Sequence, residues 1–469
     1  MKRAFFTAAL AAALALPSVA AAQTALPRPE IGEPQPFELP ATRTFELDNG
    51  IDVTFIPFGL APKANIQVRV RAGNIDDGDQ TWIADLTGAL IEEGSAGRPT
   101  DEIAREAASY GGDLTVGVGI HQTTFSSNVL AEFGPEAVRL LADLIRRPDF
   151  PESELARVRQ NLIRNVSVAR SQPGPVANEA YAELLYGTDH PFGHTLPTTE
   201  ELESYTMADI RRFYDANYSA RRTRIYVSGR FDESAMEAAI REAFGDWPAG
   251  TEDEALAITP RPGPVIQMID RPGAPQSTLR LGFVAVGPDH ADYPALTVMN
   301  AILGGSFTSR LVSNLREENG YTYSPGSNIT TRPGAGGYWT FNADVTSEVT
   351  GPALAETFGE IAQLQIEPMP HEEAEGMRTW LSGLFILQNA STGGLIGQVA
   401  YRDLYDLPDD YLDTYVPNIL AVTDADITRV ANEYLNTDEM VLVVVGDLEQ
   451  VEGQVMALPQ LEDVRIAGE

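Results

Sequence analysis

Histidines are the first residues in this sequence to consider for chemistry. The chain has five of them and no cysteine, so histidine and the carboxylates are its candidate metal ligands. His190 and His194 stand four residues apart in DHPFGH, the spacing that places two ligands on one face of a helix. Pro191 and Gly193 favour a turn there, and no neighbouring acid completes a ligand set. The other three histidines stand alone: His121, His290 and His371. We therefore predict a loop at 189–194 and no zinc site.

Other common catalytic patterns are missing from the sequence. It contains no G-x-x-x-x-G-K-[ST] and no G-x-S-x-G, which excludes a phosphate-binding P-loop and a hydrolase nucleophile elbow. Lys63 is the only lysine besides Lys2, which leaves one candidate for a Ser-Lys dyad, in a strand context. The GVG at 117–119 sits inside a strand pattern and lacks a dinucleotide fingerprint.

The first residues and the net charge indicate the compartment and the partners. Lys2 and Arg3 precede the apolar run FFTAALAAALAL and the small-residue stretch SVAAAQ, a pattern typical of a signal peptide ending at Ala22. A membrane anchor fits less well because the run is short and interrupted by Pro17. We expect a soluble periplasmic protein with no membrane insertion. The formal charge of −34 disfavours nucleic acid and anionic membranes as partners.

Four elements recur in the same order along the chain. Their offsets are 211, 217, 219 and 217 residues, for 84–95 with 295–306, 134–145 with 351–362, 150–162 with 369–381, and 206–232 with 423–449. A nearly constant offset of this length indicates domain duplication. We predict a signal peptide over 1–22, homologous domains over 23–248 and 265–469, and an acidic, Pro/Gly-rich linker over 249–264.

Both halves alternate between strand and helix patterns, which predicts an α+β fold. In the first half, the pattern predicts helices over 82–93, from Thr100 to Gly111, over 134–146 and over 151–169, with a strand pair over 114–130. In the second half, SRLVSNLREEN predicts a helix ending at Asn319-Gly320, and RPGAGGYW predicts a hairpin turn. We expect each domain to be a mainly antiparallel sheet with helices packed on one face.

The duplicated halves resemble the insulinase/pitrilysin family of zinc peptidases over essentially the whole mature chain. The DHPFG turn, the segment GGSFTSRLVSNLREENGYTYS and the ending ADI…Y…VVVGD carry the resemblance. It is strongest to the short, processing-peptidase-type members, whose two-domain chains pair into a four-domain clamshell. The extended glycine-rich loop of the mitochondrial non-catalytic subunit has no counterpart, because LGGSFTS stands in its place.

The resemblance also implies which catalytic residues are missing. Active members carry His-x-x-Glu-His on the helix that here ends at Gly94, with two zinc ligands and a general base. The corresponding residues are Asp85, Gly88 and Ala89, and the distal glutamate ligand falls near 164–165, which are Arg and Asn. We therefore expect this chain to carry no catalytic zinc. Solvation at the end of a helix accounts for the neighbouring acids, Glu92 and Glu93.

Family members place an Arg and a Tyr seven residues apart in their C-terminal domain, and here these are Arg316 and Tyr323. We expect Arg316 in the last helical turn and Tyr323 on the following strand, where both can donate hydrogen bonds to one substrate carbonyl or oxyanion. Tyr321, on the same strand face, is an alternative or supporting aromatic. From the residues alone, Arg316 could simply complement a helix C-terminus, and Tyr323 could be an ordinary half-buried strand residue.

These features favour a non-catalytic subunit of a bacterial heterodimeric peptidase. A homologous zinc-motif chain would be its partner and would hold the zinc, and exported peptides would be the substrates. One alternative is a catalytically silent scaffold or peptide binder, since the core subunits of respiratory cytochrome bc complexes resemble this family. A homodimeric enzyme with an unrelated active site is a third, weaker possibility.

Overall fold

The computed structural model describes residues 38–252, 258–261, 263–462 and 464–467. Strands from the first part of the chain form a six-stranded sheet in the order β1-β2-β8-β3-β7-β6, with β2 and β8 parallel and the other neighbours antiparallel. A two-stranded ribbon, β4-β5, stands apart from it. The bounds are β1 Arg43–Glu46, β2 Asp52–Pro57, β3 Lys63–Val70, β4 Gly94–Ser95, β5 Arg98–Pro99, β6 Leu114–Val118, β7 Thr123–Leu130 and β8 Thr223–Gly229.

The second sheet repeats this topology. Its order is β14-β9-β13-β10-β12-β11, so the run β9-β13-β10-β12-β11 matches β2-β8-β3-β7-β6 strand for strand, including the parallel pair β9-β13. The two sheets differ in the sixth strand, which is antiparallel β1 in the first and parallel β14 in the second. The bounds are β9 Val265–Asp270, β10 Gln276–Ala285, β11 Gly326–Arg332, β12 Gly336–Thr346, β13 Val441–Gly446 and β14 Arg465–Ile466. The predicted duplication is therefore visible in the order of the strands.

Helices connect the strands and repeat in the same way. In the first half they are α1 Ile83–Ile91, α2 Thr100–Ser109, α3 Gly134–Arg146, α4 Glu152–Ser171, α5 Pro173–Tyr186, α6 Thr199–Ser204, α7 Met207–Asn217 and α8 Glu233–Phe244. In the second half they are α9 Tyr293–Asn300, α10 Arg310–Val312, α11 Thr350–Ile366, α12 His371–Gln388, α13 Thr392–Leu404, α14 Tyr411–Ala421, α15 Asp424–Tyr434 and α16 Leu448–Met456. Two π-helical segments extend α9 and α10, Ala301–Gly305 and Ser313–Glu318.

Equivalent helices also share their local signals. Helix α7 begins after Thr206, whose hydroxyl accepts from the amide of Asp209 while the Asp209 side chain accepts in return. Helix α15 has the same reciprocal cap between Thr423 and Asp426. Such a capping box satisfies backbone donors that have no partner within the helix. The shared T-x-x-D therefore fixes the same helix start in both halves.

Each sheet packs its own helices on one face, as the alternation along its strands predicts. In β3 the residues Ala64, Ile66, Val68 and Val70 are buried and alternate with partly exposed ones. They pack with α1, α3 and α7 in the core of the first half. The sheet face of β10 and β12 that carries Leu281 and Phe341 forms the equivalent core in the second half.

The opposite face of each sheet is covered by a helix from the other half. Helix α5 packs Ala177, Tyr181 and Leu185 onto β13 of the second sheet. Helix α13 packs Leu395 and Val399 onto the first sheet beside Ile56 and Tyr226. The two helices occupy equivalent places in the repeat, so the halves exchange one helix each. The prediction placed helices on one face of each sheet, and the exchanged helices cover the opposite face as well.

The remaining expectations concern a hairpin turn, the signal peptide, the linker and membrane insertion. The predicted hairpin turn is confirmed, because β11 and β12 pair in register around residues 333–335. The predicted signal peptide lies outside the described residues, as do residues 253–257 and 262 of the predicted linker. Across the described ranges, no helix has the length and apolar character needed to cross a membrane.

Candidate functional site

Asp85, Gly88 and Ala89, which the resemblance aligns with the zinc motif, all lie on the predicted helix, α1. Asp85 is partly exposed, Gly88 is buried, and Ala89 is partly exposed. Gly88 faces strand β6 so closely that a Cβ atom added to it would lie 2.5 Å from Cγ2 of Val118. Any side chain at this position would therefore force Val118 to move. Packing therefore leaves no room for a side chain at the position where the resemblance expects the family's general base.

Asp85 belongs to a polar network at the start of α1. Asn74 donates its side-chain amide to Asp85 at 2.6 Å and to Asp77 at 3.2 Å. Asp77 in turn accepts from the backbone amides of Trp82 and Ala84, so it caps the helix. Burial raises the pKa of Asp85 to about 6 and that of Asp77 to about 7. The network therefore orders the N-terminus of α1 with two poorly solvated carboxyl groups.

A catalytic zinc does not fit this helix. Gly88 and Ala89 have no ligand atoms, and Arg164 and Asn165 are exposed on α4 where the distal glutamate was expected. Within the part of the chain that the structure describes, no three His, Cys, Asp or Glu side chains are grouped to hold a metal. We therefore derive no chemical step from a metal bound to this chain.

The acids at the end of α1 are less solvated than predicted. Glu93 forms an ion pair of 2.5 Å with Arg157 of α4 and its side chain is 17% exposed. Burial, followed by the charge of Glu93, raises the pKa of Glu92. The sequence suggested that water solvates these two acids at the end of the helix. Instead, they are partly buried where α1 packs against α4.

The histidine-rich turn has the predicted loop conformation. His190 Nδ1 accepts a hydrogen bond from the amide of Phe192, and His194 Nε2 lies 3.6 Å from Glu201. The remaining histidines lie in separate places: His121 follows β6, His290 precedes α9, and His371 begins α12. Burial lowers the pKa of His121 to about 4, so this histidine is neutral near pH 7.

Arg316 and Tyr323 are brought together on the surface of the second half. The Arg316 guanidinium lies 4.9 Å from the ring centroid of Tyr323 and 4.9 Å from that of Phe307. Tyr323 is 80% exposed and Phe307 is 72% exposed, while the side chain of Arg316 is 27% exposed. Glu317 is within ion-pair distance, at 3.2 Å from Arg316 Nε. We call Phe307, Arg316 and Tyr323 the aromatic–arginine cluster.

The two helix extensions position this cluster. Ala301–Gly305 ends just before Phe307, and Ser313–Glu318 carries Arg316 in its last turn, as predicted. Wider π-helical turns change the direction of side chains relative to a regular α-helix and are frequent at functional sites. Gly320, with φ +65°, then reverses the chain and returns it towards the helix end. The sequence did not indicate Phe307, because it lies nine residues before Arg316, a spacing that matches neither the helix nor the strand period.

The expectation that Tyr323 lies on a strand is wrong. Only Thr322 makes a single bridge, to Val345, and regular pairing begins at Gly326, after Pro325. Pro325 has no N–H group to donate to a neighbouring strand, which explains why regular pairing begins only after it. Tyr321 packs against the core of the second half, so its ring lies apart from the exposed Tyr323.

Comparison with known proteins identifies the family. The profile described as Insulinase (Peptidase family M16) matches residues 60–198, and the one described as Peptidase M16 inactive domain matches residues 204–380. Together these matches cover well over half of the chain. The chain belongs to the insulinase family of peptidases. The resemblance inferred from the sequence motifs is therefore confirmed.

Individual relatives agree with this assignment. The chain is 25% identical over 407 residues to an "uncharacterized zinc protease" of Rickettsia bellii, covering 85% of this chain and 96% of the relative. It is 23% identical over 359 residues to the "uncharacterized zinc protease YmxG" of Bacillus subtilis, covering 76% and 86%. The crystal structure of a peptidase M16 inactive domain from Pseudomonas fluorescens is 26% identical, with a TM-score of 0.79, covering 86% of this chain and 98% of that one. Complex III2 from Candida albicans contains a chain of similar fold, at 17% identity and a TM-score of 0.72, covering 87% and 96%.

Proposed function

We propose that this chain is the non-catalytic subunit of a two-chain zinc peptidase. A homologous partner would carry His-x-x-Glu-His and supply the zinc-activated water, whereas this chain would supply substrate contacts and half of the peptide chamber. The observation that carries the proposal is an asymmetry within one chain. The helix that should hold the zinc motif is closed at Gly88, while Arg316 and Tyr323 remain adjacent on the surface.

The chemistry of the aromatic–arginine cluster suits a substrate carbonyl. The guanidinium and the phenol hydroxyl both donate hydrogen bonds, and both can reach an acceptor that arrives from outside the chain. Phe307 and Tyr323 lie on the guanidinium and restrict its rotation, so less entropy is lost when it binds a substrate. Donors held in place before reaction stabilise the charge that develops on the carbonyl oxygen during cleavage.

The substrates and the compartment follow from the same proposal. Short or unfolded exported peptides would enter a chamber formed by the two chains. The N-terminal pattern Lys2–Ala22 supports export to the periplasm. No nucleic-acid or membrane partner is included, because the charge of −34 disfavours both.

The test uses the purified chain alone, and then with a homologous chain that carries the zinc motif. We expect less than 0.1 zinc per chain and no peptide cleavage when this chain is alone. Addition of the partner should produce cleavage that saturates at one of these chains per partner chain. Stoichiometric zinc together with cleavage by this chain alone would overturn the proposal.

A silent scaffold or peptide binder is the alternative function, and Complex III2 supports it only at the level of fold. The two functions differ in what Arg316→Ala does to the assembled pair. A scaffold predicts unchanged cleavage, whereas a substrate-contacting subunit predicts that assembly is retained and cleavage is lost. Arg105→Ala is a matched control, because Arg105 is exposed on α2 and pairs with Asp101, a neighbour on the same helix.

A further inference from the structure

A cleft of about 420 Å³ lies between α5 and the outer face of the second sheet. Residues opposite each other in a sheet share a face, so the register places one row of side chains on its floor. Amides, hydroxyls and two arginines form this row: Arg280, Asn328, Thr330, Arg332, Thr340 and Asn342. At its centre Gly282 leaves room for the Tyr181 hydroxyl, which would lie 1.7 Å from an added Cβ atom.

The charge in this cleft is opposite to that of the protein. The chain has 67 acidic residues, yet none of the described residues that line the cleft is Asp or Glu. Arg280 donates to the side chain of Asn178 and to the carbonyl of Leu279, which are neutral acceptors. Over the described ranges neither Arg280 nor Arg332 forms an ion pair. The cleft therefore holds two arginines that lack an ion-pair partner among the described residues, and the carboxylate whose charge acts on Arg280, Asp344, is not part of the cleft lining.

Two donors at the Arg332 end have no hydrogen-bond partner among the described residues. Tyr186 is 2% exposed, and its hydroxyl makes no hydrogen bond within the described residues. The Nε atom of Arg332 is buried and also lacks an acceptor there. Leaving a buried polar group without a hydrogen bond is unfavourable, so both groups favour a ligand that brings acceptor atoms. An anionic acceptor fits best, because the guanidinium is charged.

Aromatic rings surround these donors. The Arg332 guanidinium lies 5.4 Å from the ring centroid of Phe192, and Tyr186 contacts Tyr338 with a centroid distance of 6.3 Å. A ligand at this end would therefore meet donors for an anion and, next to them, an apolar wall. That combination matches a carboxylate attached to an apolar or aromatic side chain.

The rest of the floor suits an extended peptide backbone. Asn342 donates to Asn328 at 2.8 Å, and Asn328 donates to Thr330 at 3.0 Å, so donors and acceptors alternate along β11 and β12. Side-chain amides and hydroxyls can pair with both N–H and C=O groups of a peptide. The volume of the cleft falls within the usual range for small-ligand sites, about 300–1,000 Å³.

We propose that this cleft binds the C-terminal carboxylate of a short peptide, with Arg332 and Tyr186 donating to the carboxylate and Phe192 contacting the last side chain. The cleft lies within this chain and apart from the aromatic–arginine cluster. Binding therefore requires neither the zinc-motif partner nor peptidase activity, and it can fail or succeed independently of the proposed function.

Calorimetric titration of the full chain with three ligands tests the proposal. The ligands are acetyl-Ala-Ala-Phe with a free carboxylate, the same peptide as its C-terminal amide, and acetyl-phenylalanine. We expect the free acid to bind at least 10-fold more tightly than the amide and than acetyl-phenylalanine. Equal binding of acid and amide would overturn the carboxylate site. Equal binding of the tripeptide and acetyl-phenylalanine would show a small-acid site and overturn the peptide assignment.

Variants locate the carboxylate within the cleft. Arg332→Gln should weaken binding of the free acid at least 10-fold and remove its preference over the amide. Arg105→Gln, on the exposed surface of α2 and outside the cleft, is the matched control, and we expect a change of less than 3-fold. If Arg332→Gln does not fold, Tyr186→Phe removes a single hydroxyl and should weaken binding about 3- to 10-fold. Wild-type affinity in a folded Arg332→Gln or in Tyr186→Phe would contradict the proposal.

Discussion

Replacing Gly88 by alanine tests whether packing closes the zinc-motif helix. The added Cβ atom would lie 2.5 Å from Val118 Cγ2, whereas an ordinary carbon–carbon contact is about 3.5–4.0 Å. Val118 has few alternative χ1 positions, so relief requires movement of its strand or of α1. Such overpacking costs about 1–3 kcal/mol. The Gly→Ala change itself favours the helix by about 0.8–1.0 kcal/mol.

A second glycine shows how much a Gly→Ala change stabilises a helix by itself, so this contribution can be subtracted from the effect of Gly88→Ala. Gly376 is an exposed position inside α12, and nothing lies within 4 Å of a Cβ atom added there. Gly376→Ala should therefore show the helix effect alone, about 0.8–1.0 kcal/mol of stabilisation. The difference between the two alanine variants in free energy of unfolding should equal the overpacking cost of about 1–3 kcal/mol.

Urea unfolding followed by circular dichroism measures both variants under the same conditions. The double variant Gly88→Ala/Val118→Ala should recover part of the loss, because the alanine at 118 lacks the methyl group that meets the new Cβ atom. Equal changes in the two single variants would refute the packing argument. The triple variant Asp85→His/Gly88→Glu/Ala89→His carries the zinc motif but should not bind zinc stoichiometrically, since its two histidines lack the distal glutamate, in whose expected place Arg164 and Asn165 lie.

Three further predictions concern the cluster, the α1 network and the contact between the halves. Phe307→Ala should lower kcat/KM of the assembled pair about 2- to 5-fold, from the 0.5–1 kcal/mol of an exposed cation–π contact. Burial raises the pKa of Asp85 to about 6, so its ionisation lowers folded-state stability as pH rises from about 4 to 6. Asp85→Asn should therefore stabilise the chain at pH 8 by up to about 3 kcal/mol and have little effect at pH 4, in urea unfolding. Asp403 accepts from Tyr226 at 2.9 Å across the halves and forms an ion pair of 2.8 Å with Arg402, with both charged side chains at most 14% exposed. Asp403→Ala should therefore cost about 3–5 kcal/mol in the same assay, because it leaves Arg402 without this partner.

The sequence predicted the parts of this protein that depend on local or repeated patterns. The near-constant offsets predicted the duplication, and the segment SRLVSNLREEN predicted a helix with Arg316 in its last turn. Helix α1 was also placed correctly: the sequence predicted it over 82–93, and the structure has it over Ile83–Ile91. These features are encoded within single elements, which explains their success.

Features that depend on tertiary contacts could not be predicted in this way. The contact between Gly88 and Val118 joins residues 30 apart on different elements. Phe307 reaches Arg316 only because of two π-helical segments, which have no sequence period of their own. The donors of the cleft, Tyr186 and Arg332, belong to different halves of the chain.

The most direct test of the central claim is the steady-state cleavage rate of the pair formed with a zinc-motif partner. Arg316→Ala should lower kcat about 10²- to 10³-fold, the usual effect of losing one oxyanion donor, with zinc content and assembly unchanged. Tyr323→Phe should give a smaller loss, about 10-fold, and Arg105→Ala should match the wild type. Wild-type kcat in an assembled Arg316→Ala pair would contradict the account.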